Sequence, residues 1–351
     1  YANSRTTTGD YNISIGAEAY GSSTGDHNIL LGYRAMLTHH TLSKNIAIGH
    51  TALYYPGAGG SGRNIAIGHE VMFGHSSGGG ASYNTAIGYR TLYQAGVGSF
   101  NVAIGDMAGY QVRSGSSNVH IGYEAGKFTT GSANTFIGYN AGYGGLGNAA
   151  PYSSGQSNVA VGHQALDAFT TGASNTVVGA SAATALTTGE HNVFVGRNAG
   201  ISSTVSSRAV GIGFEALARY GLTSVGTGAP VAIGSEAGRF ATGSANVFIG
   251  YETGKGGTQS GNLTSGDKNV AIGHAALTAF TTGHSNVTLG YQAGDSLTSG
   301  TQNVLVGMDA GGGSNFTTVS DNVCVGHQAG ISNGASENTY IGHQAGYNTN
   351  A

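Results

Sequence analysis

Asn246-Val247-Phe248-Ile249-Gly250-Tyr251-Glu252 is one instance of a pattern, N-[VIT]-x-[ILV]-G, that recurs nineteen times along the 351 residues. Its Gly is present in every copy, from Gly16 and Gly32 to Gly326 and Gly342. Counting from the Asn as position one, the anchors run Asn12, Asn28, Asn45, Asn64, Asn84, Asn101, Asn118, Asn134, Asn158, Asn175 and Asn192. Ala209 and Pro230 then stand in the same place, followed by Asn246, Asn269, Asn286, Asn303, Asn322 and Asn338. The basic spacing is 16 or 17 residues, so the chain is expected to be one elongated repeat domain in which each repeat contacts its neighbours.

Within a repeat, positions two and four are β-branched or aliphatic, while position three ranges over Ala103, His120, Phe136, Thr288 and Tyr340. Alternation with period two predicts a strand, and the constancy of positions two and four predicts that they form its inner face. A Gly required in every repeat predicts a positive φ or an approach too close for a Cβ. Small residues at positions eight and nine, as in Ala125-Gly126, predict a short second strand along a narrow coil. The T-T-G-x-x-N segments, as at Thr170–Asn175 and Thr187–Asn192, predict a polar turn that delivers the next anchor. Helix is excluded, because apolar spacing never holds at three or four residues. The fold class is therefore all-β, a parallel β-solenoid or β-roll whose stacked coils, each adding ~4.8 Å, form a rod. Asn101 and Gly105, Asn158 and Gly162, Asn246 and Gly250, and Asn269 and Gly273 are expected to be rungs of structural ladders, the Asn amides bonding coil to coil. Insertions near 54–62, 73–83, 143–157, 220–229, 255–268 and 312–321 are rich in Gly, Ser, Thr, Asn and Tyr and are expected at corners.

Composition bounds the function. Disorder is the first expectation for 64 Gly and 8 % charged residues, but the strict register of the apolar positions opposes it. A net charge of −3 with 13 Lys and Arg provides no basic stripe for nucleic acid. The single Cys324 gives no disulfide framework and reads as a small packed or exposed residue. No apolar run approaches the ~20 residues of a bilayer-spanning helix, so membrane insertion of this segment is not expected. The chain opens on Tyr1 and stops inside a repeat, as a piece of a longer protein would.

The N-V-A-I-G-x-x-A segments at Asn101–Ala108, Asn158–Ala165 and Asn269–Ala276 resemble the head repeats of trimeric autotransporter adhesins. The fuller T-T-G-S-x-N-x-F-I-G-Y-x-A-G form, nearly complete at Thr130–Gly142, is similar to Gly-rich repeats of bacteriophage tail fibres. The resemblance spans nearly the whole chain and implies a parallel β-roll in an interlocked trimer. A core of few large side chains per coil points the same way, to a parallel homotrimer.

Position six holds Tyr33, Tyr89, Tyr123, Tyr139, Tyr251 and Tyr291, with His50, His69, His163, His274, His327 and His343. A ladder of stacked rings is the structural reading, and an aromatic track for glycans the functional one. Paired histidines, His50 with His69 and His327 with His343, raise metal binding, but no ligand spacing supports it and no metal or cofactor is expected. Position seven collects Glu18, Glu70, Glu124, Glu215, Glu236, Glu252 and Asp309. Cations three or four residues on predict the ion pairs Glu124 with Lys127, Glu215 with Arg219, Glu236 with Arg239, and Glu252 with Lys255. In the insertions, Tyr54, Tyr55, Tyr143 and Tyr152 are further candidate surface contacts. No singular Ser, His and Asp set appears, so no enzyme is expected and no catalytic residue is assigned. The expected function is that of a non-enzymatic extracellular fibrous protein of a cell or virion surface, a tail fibre, adhesin or surface filament. It would self-associate as a homotrimer, with rods joining end to end as an open option and a surface glycan or receptor as ligand. The alternative is a glycan-binding module that uses the Tyr/His ladder and the corner loops.

Overall fold

The structure, a computed structural model, describes residues 9–20, 24–38, 41–54, 61–74, 80–94, 96, 98–145, 152–220, 228–257 and 263–347. The fold is an all-β parallel solenoid, with no helix among the described residues. Two compact units divide the chain, Tyr1–Asn175 and Thr176–Ala351. The first carries nine strands, β1 (Ile13–Ile15) to β9 (Val159–Val161), and the second ten, β10 (Thr176–Val178) to β19 (Thr339–Ile341). Every strand is three residues long, spanning positions two to four of its repeat. Within each unit successive strands pair in parallel and in repeat register, so that Ala103 lies beside His120 in the first unit and Phe248 beside Ala271 in the second. Where a coil carries an insertion, isolated bridges such as Ser43 to Gly62, Thr129 to Ser153 and Ala241 to Thr264 restore the stack.

The inner and outer faces of the strand are the reverse of the expected ones. Ala103, His120, Phe136, Phe194 and Phe248, all at position three, are fully buried. None of the side chains at positions two and four is buried, Val247 and Ile249 included. In many coils the variable position lies inside with its volume traded against position nine, and where both are small, as at Ala103 and Gly109, Leu92 and His120 of the neighbouring coils fill the space. Where position nine is Gly126, Gly142, Gly200 or Gly254, position three is His120, Phe136, Phe194 or Phe248, and a Cβ on Gly142 would come within 2.5 Å of the Phe136 ring. Where position nine is Leu53, Leu166 or Leu277, position three shrinks to Ala47, Ala160 or Ala271. Position twelve adds Val112, Phe169, Leu186, Phe280 and Leu297 to this interior. Cys324 follows the same trade against Gly330, and burial pushes its thiol up to about 11.

The expected second strand is absent among the described residues. Positions six to ten form consecutive turns, because position seven and often position nine take left-handed φ even without glycine, as at Glu124 (53°), Gln164 (52°) and Leu166 (55°). The backbone still bonds from coil to coil there, Glu124 N–H donating to the Asp106 carbonyl at 2.9 Å and Gly126 N–H to that of Ala141 at 3.0 Å. A further left-handed residue precedes every Asn anchor, as at Ser117 (60°) and Ala133 (59°), but not Pro230.

The buried anchors form amide ladders. Asn118 donates its backbone N–H to Asn101 Oδ1 at 2.9 Å and its Nδ2 to the same oxygen at 3.1 Å, while Asn118 Nδ2 also reaches the Gly131 carbonyl at 3.0 Å. In the second unit Asn269 bonds to Asn246 and to Gly283 in the same way. Each buried amide therefore has both its donor and its acceptor satisfied, as burial requires.

His120 breaks that rule. Both of its ring nitrogens are buried without a hydrogen-bond partner, and desolvation lowers its pKa from 6.5 to about 3. It stacks on Phe136 at 5.5 Å, and Phe is an established partner of Gly at position nine. His120→Phe is expected to raise stability at pH 7 by about 1–3 kcal/mol, the cost of leaving buried polar groups unmade. The pH dependence has a defined sign. The folded pKa lies below the ordinary value, so the wild type loses stability as pH falls from about 6.5 toward 3. The variant should lack this contribution, which urea denaturation at stepped pH would show.

Candidate functional site

Leaving the strand at the glycine corner, the chain presents positions six, seven and ten on one face. In the first unit Tyr33, His50, His69 and Tyr89 stack as neighbours at 5.2, 4.8 and 5.4 Å, and Tyr123, Tyr139 and His163 at 5.1 and 5.1 Å. Asp106 stands between the two runs. In the second unit Tyr251, His274 and Tyr291 stack at 5.1 and 5.1 Å, and His327 on His343 at 5.1 Å. The six tyrosines are exposed. Their stacking covers the faces of the inner rungs and leaves ring edges and hydroxyls to solvent. The His50 and His69 planes lie 5° from parallel, so nitrogens on the two rings run side by side rather than converging on one ion. Among the described residues no group of three or more His, Cys, Asp or Glu is placed to hold a metal.

The fold also builds a second aromatic column. Tyr54, Phe73, Tyr93 and Tyr110, all at position ten, stack at 5.0, 5.2 and 5.0 Å with planes within 5°. Tyr54 is thus a rung of a regular coil rather than part of an insertion, and so is Tyr143, which packs edge-on against Phe128 at 5.1 Å. The recurrence of an aromatic nine residues after four successive anchors was the available signal. Tyr152 accepts a hydrogen bond from Arg113 Nη2 at 3.0 Å and lies under its guanidinium. Tyr55 lies outside the described residues. Between the two columns Arg90 bonds Glu70 at 2.6 Å and rests over both Tyr89 and Tyr93.

Three of the four expected ion pairs form, Glu124 with Lys127 at 2.5 Å, Glu236 with Arg239 at 2.9 Å and Glu252 with Lys255 at 2.8 Å. The fourth does not. Glu215 is held by Arg239 of the following coil at 2.6 Å, and Arg219 has no ion pair among the described residues. Pairing also runs across coils from Lys255 to Glu236 at 2.7 Å. Stacking brings position ten of one coil as close to a carboxylate as the local spacing does.

Asp167 sits at position ten with its Oδ1 buried and unpaired, and desolvation raises its carboxyl from 3.8 to about 6. His163 opposes that shift in part. Because the folded pKa lies above the ordinary value, the folded state holds this proton more tightly. The contribution of Asp167 is therefore full at low pH and is lost as pH rises from about 4 to about 6. Asp167→Asn is expected to remove that slope and to raise the melting temperature at pH 7, measured by circular dichroism.

No family model matches the chain, and a search of curated proteins finds no matching relative.

Proposed function

We propose that the chain is a non-enzymatic fibrous structural protein of an extracellular, cell or virion surface, which presents an adhesive face and assembles as a parallel homotrimer. The observation that supports this is the outward aliphatic face of the strands. In the first unit only Thr85 and Thr135 break a double row of Ile, Leu and Val, and in the second only Thr176 and Thr339. Monomeric proteins rarely expose a contiguous apolar surface above a few hundred Å². A side chain that only had to sit in a strand on the solvent side could be polar, so a constant aliphatic choice fits a face covered by a second copy. The identical register of every coil favours parallel chains, since equal faces then meet at every level.

Electron micrographs of the purified protein test the reading. Fibres of uniform width are expected, and compact single-chain particles would contradict it. Release of reducing ends from a polysaccharide would equally contradict the non-enzymatic part.

A further inference from the structure

In the second unit, the column at position ten runs Ile201, Ala218, Arg239, Lys255. Ala218 is buried and short, so the column is interrupted by one residue's depth between Ile201 and Arg239. The resulting notch has a volume of about 410 Å³, with Asn198, Ser202, Arg219 and Phe240 around it.

Three carboxylates, Glu215, Glu236 and Glu252, balance three cations, Arg219, Arg239 and Lys255, but only two of the cations are ion-paired. Arg239 is engaged by Glu215 at 2.6 Å and Glu236 at 2.9 Å, and Lys255 by Glu236 at 2.7 Å and Glu252 at 2.8 Å. Glu215 Oε1 also receives Asn198 Nδ2 at 3.4 Å, whereas its buried Oε2 lies against Arg239 without a well-formed hydrogen bond. Arg219 has no ion pair among the described residues. Its guanidinium lies 5.7 Å from the centre of the Phe240 ring, which Arg239 approaches at 5.0 Å. The segments outside the described residues contain no Asp or Glu, so the chain holds no further carboxylate for it. A guanidinium held on an aromatic ring keeps a planar fork of N–H donors suited to a carboxylate.

We infer that this notch binds an acidic sugar, its carboxylate on Arg219 and its C–H face on Ile201 and Ala218. Ser202 and Asn198, which also line the notch, are the polar partners on offer to ring hydroxyls. The apolar floor distinguishes the site from a bare cation, and Arg219, the cation of the notch that no carboxylate contacts, fits one carboxylate per sugar. The inference rests on the proposed adhesive role only in supplying it with a ligand class.

Saturation-transfer NMR on the full chain, with D-glucuronate, D-glucose, acetate and inorganic phosphate as separate probes, tests it. Glucuronate is expected to bind, glucose to bind at least about tenfold more weakly, and Arg219→Gln to weaken glucuronate by at least about tenfold, as loss of a charged hydrogen-bonding partner does. Ala218→Ile, which fills the notch while keeping Arg219, should do the same, and Arg208→Gln, exposed on another part of the coil, should change nothing. Unchanged melting temperatures certify the variants. No glucuronate binding, equal binding by Arg219→Gln, or competition by acetate or phosphate as effective as by glucuronate would overturn it. An assembled fibre that ignores glucuronate defeats the site alone, whereas a monomer that binds it defeats the fibre alone.

Discussion

Gly105→Ala is expected to lower stability by more than about 3 kcal/mol, since it adds backbone strain of about 1–3 kcal/mol to a steric conflict that no side-chain rotation relieves. Gly105 has φ +134°, and a Cβ there would stand 2.4 Å from the Gly122 carbonyl oxygen and 2.7 Å from its carbon. Relief requires the coils of β6 (Val102–Ile104) and β7 (Val119–Ile121) to separate. That would pull apart the Asn101 and Asn118 amides and the strand pairing beside them. Gly342 supplies the control. It shares the conformation, φ +124°, but a Cβ there meets nothing within 4 Å among the described residues. Gly342→Ala should therefore show the conformational cost alone, and thermal unfolding should rank it well above Gly105→Ala. Equal losses would mean that conformation, and not close approach, demands the glycine.

Ile104→Glu is expected to dissociate the assembly while leaving the coil intact. Ile104 is 38 % exposed at the middle of an aliphatic row, between Ile87 and Ile121 in the paired strands. A carboxylate placed there is solvated in a single chain but desolvated and unpaired in an interface, at a cost of several kcal/mol. Repeated once per copy around a symmetric interface, that cost should reduce the sedimenting mass to one chain with an unchanged far-ultraviolet spectrum. Loss of the spectrum would place Ile104 in the chain's own core. An unchanged mass would place the interface elsewhere.

The repeat, the parallel strand and the glycine corner were legible in the sequence because each is dictated by a fixed residue at a fixed period. Which way the strand faces was not. Constancy at positions two and four resembles a core, and variation at position three resembles a surface, as long as each position is read by itself. Phe136 beside Gly142 and Ala160 beside Leu166 show that in such coils the variation is compensated six residues on, a pattern visible only when two positions are read together. The missing second strand has a related cause. Glu124, Gln164 and Leu166 adopt left-handed backbone that their residue types do not favour, and the stacked hydrogen bonds hold them there. Among the charges, Glu124 and Lys127 pair as their spacing predicts, whereas Glu215 takes Arg239 from the next coil, which sequence distance hides. The same displacement leaves Arg219 without an ion pair among the described residues.

The reversal of the strand faces makes self-association the central claim, and native mass spectrometry of the full chain across a dilution series tests it most directly. Each chain has a mass of 35.0 kDa. The aliphatic face predicts a species of three chains that persists on dilution and is lost in Ile104→Glu. A folded single chain as the sole species at every concentration would contradict it.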